Sequence, residues 1–282
     1  MIIFNYINNL KTNKTMKKFI NPIVKEVLDT YNTVQTMTEM FAANPDSVNR
    51  GLLVSGDAGM GKTHYVQKAF QNLGVEDRVM YVKGSSITAA AMYCLLHQSR
   101  EKGQIIVFDD TDIIHKSSGE RAAILDMFKA ATEPTSGERI LGWHRAQPNP
   151  LMKENDVPMQ YDFQGAIVWI TNDSVSDMRK IMKGHWNAIA SRFNQIEAWF
   201  EDHEKIAYTL YLIEEVDMLG KNCTVKIGGF ESDVIDDTIE YMNVNYKYLR
   251  DITPRVAIKI ADIRQTFPDR FKVFCDNQFI QA

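Results

Sequence analysis

Leu52-Leu53-Val54-Ser55-Gly56-Asp57-Ala58-Gly59-Met60-Gly61-Lys62-Thr63-His64 is the stretch on which the fold turns. Three apolar residues run directly into a glycine-rich loop, as a buried parallel strand does. Residues 56–63 fit G-x-x-x-x-G-K-[ST]. The glycines let the backbone close around a phosphate, so that main-chain N–H groups point inward and meet the positive end of the following helix. Lys62 is placed to reach the β- and γ-phosphates of a nucleotide, and the Thr63 hydroxyl to hold Mg²⁺. Val66, Ala69, Phe70 and Leu73 then follow at i, i+3, i+4 and i+7, which predicts the amphipathic helix this motif requires. Gly56, Asp57, Ala58, Gly59, Met60, Gly61, Lys62, Thr63 and His64 are therefore the expected nucleotide-binding set, with ATP and Mg²⁺ as the ligands.

Outward from this loop, apolar runs predict further strands at 78–83, 104–109, 166–171 and 195–200, with helices at 87–100 and 117–131 between them. Strands alternating with helices imply a parallel sheet, whose functional groups gather at the strands' carboxyl ends. Ile105-Ile106-Val107-Phe108 ends in Asp109-Asp110. Asp109 at the strand tip can bind the Mg²⁺ water shell beside Thr63, and Asp110 is placed to polarise an attacking water. One whole strand–helix unit separates these aspartates from the phosphate loop, a spacing typical of P-loop motors rather than small kinases or GTPases.

Upstream, Ile23, Val27, Val34, Met37 and Phe41 give a helical stripe from Pro22 to Ala43, broken by Asn44-Pro45-Asp46. Residues 1–20 carry Lys11, Lys14, Lys17 and Lys18 and read either as a solvated leader or as a basic arm for nucleic acid or a neighbouring subunit. Beyond residue 202 the strand signal fades. Ile206, Leu210 and Ile213 share a helical face, 233–248 is mixed helix, and Thr253-Pro254 opens a final helix with an N-cap and a first-turn proline. The expected organisation is a leader and helix over 1–50, an α/β nucleotide domain over 51–200 with a hairpin insertion at 138–164, and a helical lid over 201–282.

Bulk properties set bounds on function. The 282 residues are 45% hydrophobic and 24% charged, with a net charge of −4, which argues against coating DNA by charge alone. Cys94, Cys223 and Cys275 are far apart, so they read as reduced thiols of a cytoplasmic protein and not as a zinc site. No apolar run is long enough for a membrane span, and the start lacks the pattern of a signal peptide.

Taken together the motifs resemble the AAA+ family of P-loop ATPases, over roughly residues 30–270. The resemblance implies a five-stranded core sheet flanked by helices and followed by a helical lid. Ile170-Thr171-Asn172 resembles the family's sensor 1, a polar residue that orients water. Ala190-Ser191-Arg192-Phe193 resembles the arginine-finger box, above all the Ser-Arg-Cys version of clamp loaders. By that match Arg192 reaches the ATP of the next subunit, an arrangement that raises hydrolysis by about 10³–10⁵. Thr253-Pro254-Arg255 resembles sensor 2, with Arg255 facing the γ-phosphate. From the residues alone, Asn172 also reads as a turn cap, Arg192 as a surface ion-pair partner and Arg255 as a solvated first-turn arginine. The resemblance further implies self-association into a ring or open ring of about six subunits.

Two departures from the family stand out. Asp110 occupies the place of the usual Glu and is one methylene shorter, which implies a water held less firmly and slow turnover; Asp112 matches the last acidic position of the family's D-E-x-D form. The segment from Gly84 to Ala91 lacks the aromatic–glycine pair of protein-threading members. In the 138–164 insertion, 139–145 and 159–163 alternate as two strands of a hairpin with a polar, proline-bearing tip. Trp143, Arg145 and Lys153 there are set either to contact a nucleic-acid strand or to form a structural flap. The resulting expectation is an ATPase that remodels or loads a macromolecular complex, nucleic-acid associated and of the replication or loader accessory type. A protein-remodelling chaperone and a non-motor P-loop kinase are the alternatives. The compact length suggests an accessory factor of a virus or mobile element, which would place it in the host cytoplasm.

Overall fold

The computed structural model describes residues 21–84, 86–135, 138–144 and 147–281. The basic leader and Arg145 lie outside these residues. Helix α1 (Pro22–Ala43) opens the described chain, with Pro22 in its first turn and the Asn21 side chain accepting from Ile23 N at 3.0 Å.

Five strands form the parallel sheet: β1 (Gly51–Gly56), β2 (Val79–Lys83), β3 (Ile105–Asp109), β6 (Ala166–Thr171) and β7 (Phe193–Ala198), in the spatial order β2-β3-β6-β1-β7. Every residue of β1, β3 and β6 is buried, because helices cover both faces. Alternation sorts their side chains. Leu52, Val54, Ile105, Val107, Val168 and Ile170 pack toward α1 and α2 (Lys62–Leu73). Leu53, Ile106, Phe108, Ile167 and Trp169 face the opposite layer, built on α3 (Ala89–Gln98) and α4 (Ser118–Ala131). These helices start close to where their patterns place them: Thr88 caps α3 through its hydroxyl, which accepts from Ala91 N at 3.2 Å.

The fifth strand starts two residues earlier than its apolar pattern predicts. Phe193 pairs with Gly51 and Ala198 with Gly56, so β7 spans the same length as β1. Phe200, expected inside the strand, instead gives its N–H to the Asp57 carboxylate at 2.8 Å, which turns the chain out of the sheet.

The expected hairpin exists, as β4 (Ile140–Gly142) and β5 (Gln160–Asp162) in antiparallel register, with Leu141 opposite Tyr161. Its tip holds a short helix α5 (Pro150–Glu154), capped by Asn149 Oδ1 at 3.0 Å from Leu151 N, where the sequence suggested only a polar loop. Leu141, Trp143, Met152, Val157, Tyr161 and Phe163 all join the core against α3. Trp143 is only 7% exposed, its ring 5.5 Å from that of Tyr93, so of its two readings the structural flap holds and the stacking surface for nucleic acid does not. Lys153 does remain exposed. Two helices between β6 and β7, α6 (Val175–Met182) and α7 (Trp186–Ala190), add Met178, Met182, Trp186 and Ile189 to the same core.

After β7 the chain is helical: α8 (Asp202–Glu214), α9 (Ser232–Asn245), α10 (Pro254–Thr266) and α11 (Phe271–Phe279). Ile206, Leu210, Ile213, Val256 and Ile260 build an apolar cluster of their own here. No helix among the described residues is long and apolar enough to cross a membrane.

Candidate functional site

The carboxyl ends of β1, β3 and β6 meet at one point, and the loop after β1 wraps it. Gly59 and Gly61 have φ of 74° and 119°, a region that a side chain makes costly, and Gly61 leads straight into α2. The main chain thereby turns back over the N-terminus of α2, whose unpaired N–H groups face the loop. Met60 and Lys62 are buried, so the loop is packed from beneath and its shape is held.

Lys62 sits at the centre. Its ammonium donates to Gly56 O at 2.8 Å, Asp57 O at 2.9 Å and Asn172 Oδ1 at 2.7 Å. Burial pushes its pKa down to about 8, against the attraction of Asp110, Asp57 and Asp109, and the Arg255 charge lowers it further. Thr63 Oγ1 donates to Asp109 Oδ1 at 2.8 Å. Burial raises the Asp109 carboxyl above its ordinary range, and the Thr63 hydrogen bond works against this. His64, further along α2, is held below its usual range by burial and by Lys68, and its ring meets Tyr65 edge-on at 5.3 Å.

The strand order explains how Asn172 enters. β6 lies between β1 and β3, so the residue just beyond its tip falls between the phosphate loop and the acidic pair. Asn172 Nδ2 donates to Asp110 Oδ1 at 2.8 Å while its oxygen takes Lys62. Asp110 has φ of 50°, a left-handed conformation that Asp tolerates better than most residues. The next residues extend the polar rim: His115 N donates to Asp112 Oδ1 at 3.1 Å, and His115 Nε2 lies 2.8 Å from Asp173 Oδ1.

Arg255 reaches the loop from the helical region. A Cβ added to Gly59 would lie 3.3 Å from Arg255 Cδ and 3.4 Å from Thr253 Cβ, so the start of α10 rests on the loop. The N-cap is as expected, with Val256 N donating to Thr253 Oγ1 at 3.3 Å. A second link was invisible in the sequence. Asp57 Oδ1 pairs with Lys205 of α8 at 2.8 Å and Asp57 Oδ2 accepts from Phe200 N. The Asp57 side chain thus ties the loop to the start of the helical region, and only its main chain faces the phosphate position. Beneath the loop, Tyr31 stacks on Tyr65 at 4.7 Å, and the Tyr65 and Tyr208 hydroxyls lie 3.2 Å apart.

Arg192 is not part of this cluster. It precedes Phe193, which pairs with the first residue of β1, whereas the loop begins at the last. Five strand steps of roughly 3.3 Å put it about 17 Å away, at the amino-terminal end of the strands. There Arg192 Nε donates to Glu133 Oε2 at 3.1 Å, Nη2 joins the same oxygen, and Nη1 donates to Ala188 O at 3.0 Å. The ion-pair reading of Arg192 therefore describes its contacts within the chain.

The residues fit the ligands that the motif implies. Thr63 and Asp109 offer adjacent hard oxygen donors of the kind Mg²⁺ takes. Lys62 is a buried cation whose hydrogen bonds go to carbonyls and an amide, neutral partners that a phosphate can replace. No family model matches the chain. It is 26% identical over 256 residues to an uncharacterized 36.7 kDa protein of the nrdC-mobD intergenic region of Enterobacteria phage T4, covering 86% of this chain and 74% of that one. Among solved structures, the RuvB Holliday junction branch migration motor of Thermotoga maritima aligns at a TM-score of 0.46 with 14% identity, over 91% of this chain and 66% of RuvB. This chain thus spans just under two thirds of that structure. Domain III of the replication initiation protein DnaA from the same organism aligns at 0.46 and 14%, over 94% and 100%. AMPPCP-bound DnaA from Aquifex aeolicus aligns at 0.44 and 14%, over 92% and 72%. A five-stranded parallel sheet that places β6 between the phosphate-loop strand and the Asp109-Asp110 strand, followed by a helical region resting on that loop, is the architecture that the motifs' resemblance to the AAA+ P-loop ATPases implied.

Proposed function

We propose that the chain is an ATPase whose site is completed by a second copy, and that it uses hydrolysis to remodel or load a complex on nucleic acid. The observation that carries this reading is the division of the polar site residues. Lys62, Thr63, Asp109, Asp110, Asn172 and Arg255 converge on one loop, while Arg192 stands at the amino-terminal end of the strands, away from its own loop and placed for a neighbouring molecule's nucleotide.

In this account the main chain of residues 56–63 cradles the phosphates, and Lys62 exchanges its carbonyl partners for phosphate oxygens. Thr63 and Asp109 would hold Mg²⁺, which when bound offsets the phosphate charge. Asp110, fixed by Asn172, accepts a proton from the attacking water, and Asn172 orients that water by remaining between Asp110 and Lys62. Arg255 reports the γ-phosphate to the helical region, and Asp57 with Lys205 passes loop movement to α8. The chain divides in this reading into residues 1–50, a nucleotide domain at 51–200 and a lid at 201–282. Assembly is a ring or open ring of about six copies, since a heterologous interface that closes gives a ring.

A nucleic-acid partner is supported by the basic leader, the clamp-loader-like Ser-Arg-Phe box and the lack of the aromatic pore pair. The phage relative supports a role in a virus or mobile element, and hence a host cytoplasmic setting. Burial of Trp143 removes one expected nucleic-acid contact and favours, to that extent, the protein-remodelling alternative. Steady-state ATP hydrolysis with and without single-stranded DNA, at two salt concentrations, separates the two. Stimulation that fades with salt supports the nucleic-acid reading, because phosphate contacts are salt-dependent. Unchanged hydrolysis points to a protein partner, and absent hydrolysis under all conditions contradicts the proposal.

A further inference from the structure

Arg192 is held within its own chain by a built arrangement. Glu133 follows α4, and its Oε1 accepts from Thr135 Oγ1 at 2.6 Å and from Thr135 N at 3.2 Å. Its main-chain oxygen accepts from Arg139 Nε at 3.0 Å. Glu133 is therefore held at its main chain by Arg139 and at Oε1 by Thr135, which leaves Oε2 to meet Arg192. That oxygen takes the side edge of the guanidinium, Nε at 3.1 Å together with Nη2. Ala188 O takes Nη1 at 3.0 Å. Ser191 Oγ stands 3.5 Å from Nη1, at the outer limit of a hydrogen bond.

A guanidinium has five N–H groups in a planar fork. Glu133 uses one on Nε and one on Nη2, while Ala188 O and Ser191 Oγ both lie against Nη1. Nη2 thereby keeps an N–H to offer to a phosphate, a group that guanidinium recognises well. Both side chains are about a quarter exposed, at 24% for Arg192 and 27% for Glu133, so the pair stands at the surface and is open to a second molecule. Glu133 takes the Nε edge and leaves Nη2 with an N–H to spare.

We infer that Glu133 is a positioning residue for Arg192, fixing its guanidinium with Nη2 turned toward a phosphate of a neighbouring copy's nucleotide. This rests on the proposal that Arg192 acts in trans. Thr135 belongs to the same device, because its hydroxyl fixes the carboxylate that fixes the arginine. The orientation removes rotamer freedom that a long side chain would otherwise lose at each catalytic event, and loose geometry of this kind lowers rate without changing binding.

The test uses the full chain and six variants: Arg192→Ala, Glu133→Ala, Glu133→Gln, Thr135→Ala and the Glu133→Ala/Arg192→Ala and Thr135→Ala/Arg192→Ala doubles. Turnover is measured beside binding of a fluorescent ATP analogue and thermal melting. Arg192→Ala is expected to lower kcat by about 10³. Glu133→Ala should lower kcat on the order of tenfold with nucleotide affinity unchanged. Glu133→Gln keeps an acceptor oxygen and should recover most of that loss. Each double variant should be no slower than Arg192→Ala, because two residues acting as one unit are not additive. Thr135→Ala carries the test if Glu133→Ala does not fold, with a loss of about threefold that vanishes in the Arg192→Ala background. Wild-type kcat in the Glu133 and Thr135 variants, or additive losses in the doubles, would overturn the inference while leaving the trans finger standing. Normal turnover by Arg192→Ala would instead remove the trans finger and the inference with it.

Discussion

Asn172 accepts the Lys62 ammonium on its side-chain oxygen at 2.7 Å, and the chemistry of the two groups fixes the rest of the site. Lysine only donates, so the amide must turn its oxygen to Lys62. Its nitrogen then faces Asp110, a pure acceptor when ionised, at 2.8 Å. One side chain sets the separation of the cation and the carboxylate.

Replacing Asn172 by Ala leaves Asp110 without that donor and free to rotate. Turnover is expected to fall on the order of 10²-fold, in the range of losing one positioned polar group at a reacting centre. Binding of ADP should change little, since the loop and Lys62 keep their carbonyl partners. Steady-state kinetics beside equilibrium titration check this, and a loss confined to nucleotide affinity would remove Asn172 from the water-orienting role.

Lys62 gives the site a pH signature. Burial holds its pKa at about 8 even beside Asp110, Asp57 and Asp109. A bound phosphate favours the charged form and raises that pKa, so binding above pH 8 must take up a proton. Affinity should therefore fall as pH rises through 8, by at most about tenfold per unit, and stay flat below it. Titration of fluorescent ADP in the presence of a chelator, from pH 6.5 to 9.5 as roughly the useful range, reads this directly. Affinity that is level across that range would mean that Lys62 stays charged without nucleotide.

Trp143 tests the hairpin. Its indole lies in the core against Tyr93, so Trp143→Ala should destabilise the fold by about 3–5 kcal/mol, as large-to-small core changes do. Chemical denaturation measures the loss. A variant of wild-type stability with weakened nucleic-acid binding would return Trp143 to the contact role that its burial denies.

Much of the site was legible because its residues end apolar runs. Gly56 and Asp109 end, and Asn172 follows, a strand buried on both faces, and such strands announce themselves by composition. Arg255 was legible through its Thr-Pro cap. Partners joined only by the fold were not. Glu133 lies 59 residues from Arg192, and Asp57 lies 143 from Phe200, with no local pattern to mark either contact. The hairpin was visible by alternation, but an aromatic residue on a strand reads the same whether it meets a base or Tyr93. Helices α6 and α7, of 8 and 5 residues, were too short for their periodicity to show.

The central claim is that each site takes its arginine from another copy. Two variants test it by mixture: Asp110→Asn, which keeps Arg192 but lacks its own base, and Arg192→Ala, which keeps a full loop but supplies no finger. Each alone should be nearly inactive. Mixed in equal amounts, random assembly makes about one interface in four complete, so hydrolysis should recover to roughly a quarter of the wild-type rate. A mixture that shows no more than the sum of its two inactive parts, under conditions where both assemble, would contradict the account.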